Sequence, residues 1–419
     1  MEFTLPYHQT SVPVHIEDNR CAGIIYPNHV DPPAEKDVIQ NALASVSGPM
    51  TLKDFTDDND EILVIVNDAT RPTPTARILS LLSPGLPLSR CRFLVATGSH
   101  RAPDTGELEW IFGPFLQEIR QNGRIHIHDA RADHEMVHIG NTISGHPVHI
   151  NRHVTNARKI MVITTVEPHY FGGYTGGRKS FLPGVTAYET IRLNHRLALQ
   201  PESATLALDT NPVHTDMDSC LDLLSGKQIF AVQAVLDRHR RLVSAAAGDI
   251  RTSFHTAVEA AGRVFCVSIP EKVDIVVSVA PYPMDVDLYQ SQKAMENAKP
   301  ALKPGGIIVL VSSCRTGIGP ETFYNLMAGC DSPAAVMNRI RGEYKLGYHK
   351  AAKMVEAAMM GEIWAVTDLD PAVLQDVFIR AFPSIQSAID TALQQSGPDS
   401  KVLFIPEGSI TVPHVSTAP

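Results

Sequence analysis

Short apolar runs bounded by polar or turn residues recur along the chain and predict buried strands. The clearest runs lie at residues 61–66 (EILVIV), 91–96 (CRFLVA), 159–166 (KIMVITTV), 273–280 (VDIVVSVA) and 306–311 (GIIVLV). Segments with helical periodicity lie between them, at residues 34–46, 75–82, 252–261 and 290–298. Strands that alternate with helices are typical of α/β layers with mainly parallel sheets.

The length of 419 residues suits two or three domains of ordinary size. A fresh strand–helix–strand series begins near residues 269–272, which favours a boundary there. We therefore predict two α/β domains, an N-terminal one at 1–270 and a C-terminal one at 271–419. We predict that residues 411–419 form a poorly ordered tail.

Polar residues follow the predicted strands at the point where each strand ends. The run at 61–66 leads into Asp68 and Arg71, the run at 91–96 into His100, and the run at 159–166 into His169. Functional loops of parallel α/β sheets lie at the carboxyl ends of the strands. These segments, together with residues 281–285 after the fourth run, are therefore expected to line one cleft.

Composition narrows the class of protein. The chain has 36 Lys+Arg against 45 Asp+Glu, a net charge of -9, which argues against a nucleic-acid binder. No basic segment followed by an apolar run opens the sequence, and no apolar run approaches the ~18 residues of a membrane span. The 6 cysteines are scattered without a C-x-x-C pair, as in reduced cytoplasmic proteins. We expect a cytoplasmic protein with no membrane segment.

The 18 histidines are densest at residues 125–154. His126 and His128 would share one face of a strand, which invites a metal-site interpretation. The H-x-H-x-D-H spacing of metallohydrolases is not met, because Asp129 directly follows His128 and His134 is too distant. Exposed strand and turn histidines are the favoured interpretation, and His349 is expected to have a core or loop role.

A glycine-rich segment, GGYTGGRKS at residues 172–180, nearly matches a phosphate loop. Arg178 stands before Lys179, so the lysine is out of register for a nucleoside-triphosphate loop. Glycines still allow free N–H groups to surround an anion. The segment favours a phosphate-bearing cofactor over ATP.

Taken together, several segments resemble the nickel-pincer lactate racemase family, in the family's order and at about its separations. The matching segments are DATRP at 68–72, ATGSHR at 96–101, EPHYFGGYTGGRK at 167–179, LPG at 182–184, NH at 194–195 and YQSQK at 289–293. The resemblance spans most of the chain, and the glycine–Arg–Lys segment is its most specific part.

The resemblance implies a two-domain α/β fold with the active site in a cleft between the domains. It also implies nickel held by a nickel-pincer nucleotide, pyridinium-3-thioamide-5-thiocarboxylic acid mononucleotide. Lys179 matches the lysine that binds this cofactor covalently, and His195 matches the histidine that completes the nickel coordination. Proteins that make and insert the cofactor would then be partners.

The resemblance assigns further roles. His100 and His169 match the paired acid/base histidines. Four residues match the substrate-binding set, namely Arg71, Lys293, Gln290 and Tyr289. Four more are expected near the cofactor, with Asp68 and Thr70 in its binding loop and Gly176 and Gly177 near its phosphate.

The implied function is racemisation or epimerisation of a 2-hydroxy acid, lactate or a related 2-hydroxycarboxylate, by reversible hydride transfer. The chemistry agrees, because the α-proton of such an acid is hard to remove. Hydride transfer instead needs an oxidant, together with one base for each enantiomer. Imidazoles suit the role of the bases. Three alternatives stay open: an oxidoreductase on the same scaffold, a phosphate-loop nucleotide-binding enzyme, and a non-catalytic relative.

Overall fold

The structure is a computed structural model that describes residues 1–416. The chain divides into two compact units. The middle unit is His29–Val264, and the terminal unit combines Met1–Asn28 with the segment that begins at Phe265. The predicted division into 1–270 and 271–419 did not anticipate that the first 28 residues fold with the C-terminal segment. The domain bounds at 1–270 and 271–419 stay a prediction.

The N-terminal residues contribute strands to the terminal unit. Strands β1 (Glu2–Tyr7) and β2 (Thr10–His15) form an antiparallel hairpin. Strand β3 (Cys21–Ile24) is an edge strand of the parallel sheet of that unit.

The middle unit alternates strands and helices. Its strands are β4 (Ile62–Asn67), β5 (Cys91–Ala96), β6 (Ile125–Ile127), β7 (Met136–Asn141), β8 (Pro147–Asn151), β9 (Lys159–Thr165), β10 (Pro168–His169), β11 (Gly173–Tyr174), β12 (Gln228–Leu236) and β13 (Leu242–Gly248). Its helices are α1 (Glu35–Ala44), α2 (Leu52–Thr56), α3 (Thr75–Leu82), α4 (Thr105–Phe112), α5 (Leu116–Gln121), α6 (Arg152–Asn156), α7 (Tyr188–Arg196), α8 (Pro212–Asp222) and α9 (Ile250–Phe265).

The central strands of this unit are apolar throughout because both faces of the sheet are covered. Val64 and Val66 of β4 pack into a core cluster on one face, and Leu63 and Ile65 pack into a second cluster. Successive side chains of a strand point to opposite faces, so a continuous apolar run is what a strand buried on both faces requires.

The strand order of the middle sheet indicates where a ligand would bind. The order is β13-β12-β9-β4-β5-β6, and all neighbours are parallel except β12 and β13. The chain steps from β4 through β5 to β6 on one side and returns to place β9 on the other side of β4. Ligands of such sheets bind outside the carboxyl ends of the strands where the order reverses. That point lies between β4 and β9.

The terminal unit has the same α/β character. Its remaining strands are β14 (Cys266–Ile269), β15 (Val273–Val279), β16 (Leu302–Val311), β17 (Glu362–Val366), β18 (Ile379–Ala381), β19 (Val402–Ile405) and β20 (Val412–Val415). Its helices are α10 (Leu288–Ala298), α11 (Glu321–Ala328), α12 (Pro333–Gly342), α13 (Tyr348–Met360), α14 (Pro371–Asp376) and α15 (Ile385–Ser396). Its main sheet runs in the parallel order β18-β17-β16-β15-β19-β3.

The predicted α/β fold with mainly parallel sheets is confirmed. The expectation of a poorly ordered tail is wrong for β20, which pairs with β14; residues 417–419 lie outside the described part. Within residues 1–416, no helix combines the length and apolarity that crossing a membrane requires.

Candidate active site

A carboxylate and an imidazole meet at the ends of β4 and β5. Asp68 is buried, and its Oδ2 lies 2.7 Å from Nδ1 of His100. Its Oδ1 accepts a hydrogen bond of 2.6 Å from the hydroxyl of Thr70. Burial alone would raise the pKa of Asp68, but His100, Thr70 and Arg71 together lower it below the ordinary value. The carboxylate is therefore charged and held in place behind the imidazole.

The ends of β4 and β9 are tied together. The hydroxyls of Thr73 and Thr165 share a buried hydrogen bond of 2.9 Å. Nearby, Nη1 of Arg71 lies 4.0 Å from Oε1 of Glu167, and both side chains are partly exposed. The guanidinium predicted to bind the substrate carboxylate thus lies beside the switch point of the sheet.

Two of the predicted site residues, His169 and Lys179, have their side chains next to Gly172. Gly172, in the turn between β10 and β11, donates its N–H to Nδ1 of His169 at 3.2 Å. A Cβ atom on Gly172 would lie 3.3 Å from Nδ1 of His169 and 3.4 Å from Nζ of Lys179. A side chain at this position would be tight against the imidazole and in contact with the ammonium. The imidazole and the ammonium therefore both lie next to Gly172.

Arg178 shapes the glycine-rich loop from inside. Its guanidinium is buried and donates to the carbonyls of Gly172 (2.8 Å), Tyr174 (3.1 Å) and Gly176 (3.4 Å). It also packs over the ring of Phe254, 4.3 Å from the centroid. Burial lowers the pKa of Arg178 to about 9. This side chain determines the course of the backbone that leads to Lys179.

The two glycines expected near a phosphate are buried. Gly176 and Gly177 have positive φ angles of 86° and 50°. A Cβ on Gly176 would lie 2.5 Å from Val166, and one on Gly177 would lie 3.1 Å from the ring of Phe254. Backbone conformation and packing both require glycine here. Their predicted place near a phosphate stays a prediction.

An aromatic ring that the sequence did not single out joins three site residues. The buried ring of Phe171 lies 4.6 Å from the imidazole of His169 and 5.0 Å from that of His195, centroid to centroid. Nζ of Lys179 lies 5.4 Å from the same ring centroid. The available signal was the run of aromatic residues, Tyr170, Phe171 and Tyr174, in the loop that follows β9.

His195 is held as a neutral imidazole in the last turn of α7. Its Nδ1 lies 3.2 Å from Oδ1 of Asn194, whose amide nitrogen donates to Asp216 at 2.9 Å. An amide oxygen only accepts, so Nδ1 carries the proton and Nε2 keeps a lone pair. Burial, with smaller effects of Lys179 and His100, lowers the pKa of His195 to about 3. A neutral imidazole with this tautomer can bind a metal ion.

A second buried histidine lies beneath the glycine-rich loop. The imidazole of His214 stacks on Phe254 at 6.0 Å, and burial, then Arg178, lowers its pKa to about 3. The sequence did not indicate it, because a lone helical histidine has no diagnostic spacing.

The predicted substrate residues Tyr289, Gln290 and Lys293 lie on α10, in the terminal unit. Nζ of Lys350 donates to the carbonyl of Tyr289 at 2.7 Å and lies 4.1 Å from its ring centroid. Burial raises the pKa of Tyr289. The tyrosine ring is thus fixed by a cation from α13.

The histidine-rich segment corrects one expectation. His128 is buried, not exposed, and its two nitrogens contact Thr186 O (3.0 Å) and the Asn151 amide (3.3 Å). His126 and His153 stack at 3.9 Å. Among the described residues, no cluster of three or more potential metal ligands occurs.

His349 is a buried residue of α13, as expected from the sequence. Its Nδ1 lies 3.0 Å from the hydroxyl of Tyr344. It packs within the terminal unit.

The middle unit therefore combines a carboxylate-backed imidazole, a second imidazole beside a lysine, and a neutral third imidazole at a sheet switch point. These features lie on an α/β fold and group titratable side chains of the kind that enzymes use. Family models agree: a lactate racemase N-terminal domain matches residues 7–206, and a lactate racemase C-terminal domain matches residues 269–412. The chain belongs to the lactate racemase family, and it is an isomerase.

Individual relatives match over nearly their full length. A lactate racemase from Lactiplantibacillus plantarum is 30% identical, covering 96% of this chain and 97% of the relative. One from Thermoanaerobacterium thermosaccharolyticum is 28% identical with the same coverage.

Solved structures show the same fold. The lactate racemase apoprotein of Thermoanaerobacterium thermosaccharolyticum has a TM-score of 0.91 at 29% identity, covering 99% of this chain and 100% of that one. A Thermotoga maritima protein at 15% identity shares the fold, with a TM-score of 0.67 over 92% of this chain and 99% of its own.

Proposed function

We propose that this chain racemises or epimerises a 2-hydroxy acid, lactate or a related 2-hydroxycarboxylate. The reaction would proceed by reversible hydride transfer to a nickel-pincer nucleotide bound covalently by Lys179. One observation carries the proposal: Lys179 meets His169 around Gly172 and shares the Phe171 ring with His169 and His195. Lys179, the proposed proton-transfer group His169 and the proposed metal-binding group His195 thus surround one ring.

The residues present fit this cofactor. All hydrogen bonds of the buried Arg178 guanidinium go to backbone carbonyls, and its Nε has no hydrogen-bond partner among the described residues. Asp218 stabilises the Arg178 charge at a distance, but no carboxylate accepts a hydrogen bond from this guanidinium among the described residues. A buried cation is costly without a closely paired anion, and a mononucleotide would supply a phosphate. His195 would complete the nickel coordination through Nε2. When bound, the pincer nucleotide supplies the hydride acceptor.

The protein supplies substrate binding and proton transfer. Arg71 would bind the substrate carboxylate through its planar fork, with Lys293, Gln290 and Tyr289 completing the set. His100 would accept the hydroxyl proton of one enantiomer, and Asp68 would stabilise the imidazolium that forms. His169 would serve the other enantiomer. Asp68 and Thr70 remain in the proposed cofactor-binding loop, as do Gly176 and Gly177.

The substitution Lys179→Arg tests the covalent link. Arginine keeps the positive charge but cannot form the amide-type bond, so the intact-mass adduct, bound nickel and racemisation should all be lost. The protein should be made in a host that synthesises the cofactor. Lys36→Arg changes an exposed lysine of α1 in the same way and should keep all three properties. A Lys179→Arg protein that retains the adduct and full activity would contradict the proposal.

The same preparation separates the alternatives. An oxidoreductase would release keto acid in proportion to the substrate consumed, whereas a racemase returns the opposite enantiomer. A phosphate-loop enzyme would need Mg²⁺ and ATP and would show no adduct at Lys179. A panel of single-enantiomer 2-hydroxy acids, analysed by chiral chromatography, would identify the preferred substrate.

The proposal includes the cellular setting. Proteins that make and insert the cofactor would be partners of this chain. Its 6 cysteines all carry free thiols, which supports a place in the reducing cytoplasm.

A further inference from the structure

The two histidines proposed as acid and base both have Nδ1 engaged by the protein, and the two partners have opposite chemistry. Nδ1 of His100 faces Oδ2 of Asp68 at 2.7 Å. Nδ1 of His169 faces the backbone N–H of Gly172 at 3.2 Å. An ionised carboxylate can only accept a hydrogen bond, and a backbone N–H can only donate one.

A neutral imidazole carries one proton, so the partner of Nδ1 decides the state of Nε2. Beside Asp68, the proton of His100 belongs on Nδ1 and Nε2 keeps a lone pair. Beside the N–H of Gly172, Nδ1 of His169 keeps the lone pair and the proton belongs on Nε2. We infer that the two histidines rest in opposite tautomers, with a proton-accepting Nε2 on His100 and a hydrogen-bond-donating Nε2 on His169.

Both partners are themselves fixed in orientation. Oδ1 of Asp68 accepts from the backbone N–H and the hydroxyl of Thr70, at 3.2 Å and 2.6 Å, so Oδ2 is the oxygen that faces His100. The N–H of Gly172 shares its peptide plane with the carbonyl of Phe171, which accepts a hydrogen bond of 2.9 Å from the side-chain amide of Asn211. Neither partner can turn away without breaking these bonds.

The consequence for catalysis rests on the proposed function. Where the hydroxyl of one enantiomer contacts His100, Nε2 can accept its proton, and the bound cofactor would supply the acceptor for the α-hydrogen as hydride. A hydroxyl that meets His169 finds an N–H instead. His169 must first move its proton from Nε2 to Nδ1 and release Gly172. The resting site is therefore prepared for one enantiomer, and Asp68 and Gly172 act as positioning residues.

Nitrogen-15 NMR of the imidazoles in cofactor-free, histidine-labelled protein tests the inference directly. Spectra are recorded at increasing pH until the imidazole signals stop changing, so that they report neutral rings. The signals of His100 and His169 can be assigned with His100→Gln and His169→Gln. We expect a protonated Nδ1 and a bare Nε2 for His100, and the reverse for His169. The same tautomer at both positions would overturn the inference.

The substitution Asp68→Asn provides the matched variant. Thr70 would still hold the amide oxygen, so the amide N–H₂ of the new residue would face His100 and donate to Nδ1. The proton of His100 should then move to Nε2, while His169 keeps its signals as the internal control. An unchanged His100 spectrum would also contradict the inference.

Failure of this inference and failure of the proposed function are distinguishable. The tautomers are read without cofactor or substrate, whereas the proposed function is read from adduct, nickel and racemisation. Like tautomers in an active racemase would overturn only the inference. Opposite tautomers in a chain that never acquires the adduct in a competent host would overturn only the proposed function.

Discussion

Burial and hydrogen-bond partners, more than position in the sequence, decide what each imidazole of this chain can do. His128 is buried with both nitrogens bonded inside the middle unit, which leaves it no chemical role. His195 has one nitrogen occupied by Asn194 and is held neutral. His100 is about half exposed and backed by a carboxylate. All three are histidines, but only the environment of His195 suits metal binding and only that of His100 suits proton transfer.

Asn194 should matter for metal binding although it would not touch the metal. Its Oδ1 fixes the tautomer of His195, and its amide nitrogen is held by Asp216. Loss of such an outer partner typically lowers metal affinity about 10- to 100-fold. We expect Asn194→Ala to lower nickel retention by this factor, measured by competition with a chelator on the cofactor-loaded protein.

The control for this variant is Asn41→Ala, which removes the same side chain from an exposed position of α1. It should leave nickel retention at the wild-type level. Equal retention in both variants would show that Asn194 does not orient the metal ligand.

At the scale of elements, the glycine-rich loop is a built structure and not a flexible turn. Arg178 bonds three of its carbonyls, and its glycines are packed against Val166 and Phe254. Sequence spacing could show that Arg178 displaces Lys179 from phosphate-loop register. It could not show that the arginine points inward, because that depends on Phe254, which comes from α9 far along the chain.

Gly173 offers a sharp test of this packing. Its φ is +72°, and an added Cβ would overlap the carbonyl oxygen of Ala207. Gly173→Ala should lose ~1–2 kcal/mol of unfolding free energy from the left-handed backbone conformation. Overpacking against Ala207 should add a further ~1–3 kcal/mol. Urea unfolding measures the loss, and intact mass should show less adduct at Lys179.

Gly145 supplies the control, because its φ of +77° is similar but no atom lies within 4 Å of an added Cβ. Gly145→Ala should show only the conformational cost of ~1–2 kcal/mol and an unchanged adduct. Equal losses in the two variants would mean that the loop can move to accept a side chain at Gly173.

At the scale of the whole molecule, the hydrophobic pattern predicted the individual strands and helices, because these depend on residues close together in the sequence. The runs at 91–96 and 75–82 coincide with β5 and α3, because a strand buried on both faces and an amphipathic helix each leave a periodic record. The contact of Asp68 with His100 followed from the rule that parallel strand ends meet. No such rule predicted that the first 28 residues fold with the C-terminal segment, because β3 pairs with β19, which lies almost at the other end of the chain. A four-residue strand carries no signal of its distant partner.

The middle unit should lose stability in mild acid because it buries neutral histidines. Burial lowers the pKa of His128 to about 4, below the ordinary value of 6.5. As the pH falls below 6.5, the unfolded chain takes up this proton first, so the stability contribution present above pH 6.5 is lost progressively down to about pH 4. Between pH 7 and pH 5 the loss from this one residue is about 2 kcal/mol.

His128→Gln should remove that part of the pH dependence. The variant will be less stable at pH 7, because it gives up a buried hydrogen-bonded ring, but its unfolding free energy should fall about 2 kcal/mol less on going to pH 5. His134→Gln changes an exposed histidine of the same segment and should keep the wild-type pH dependence. Urea unfolding of the three proteins at both pH values decides the matter. Parallel losses in all three would show that His128 takes up its proton in the folded protein as readily as in the unfolded chain, and that its burial does not set the acid limit of the middle unit.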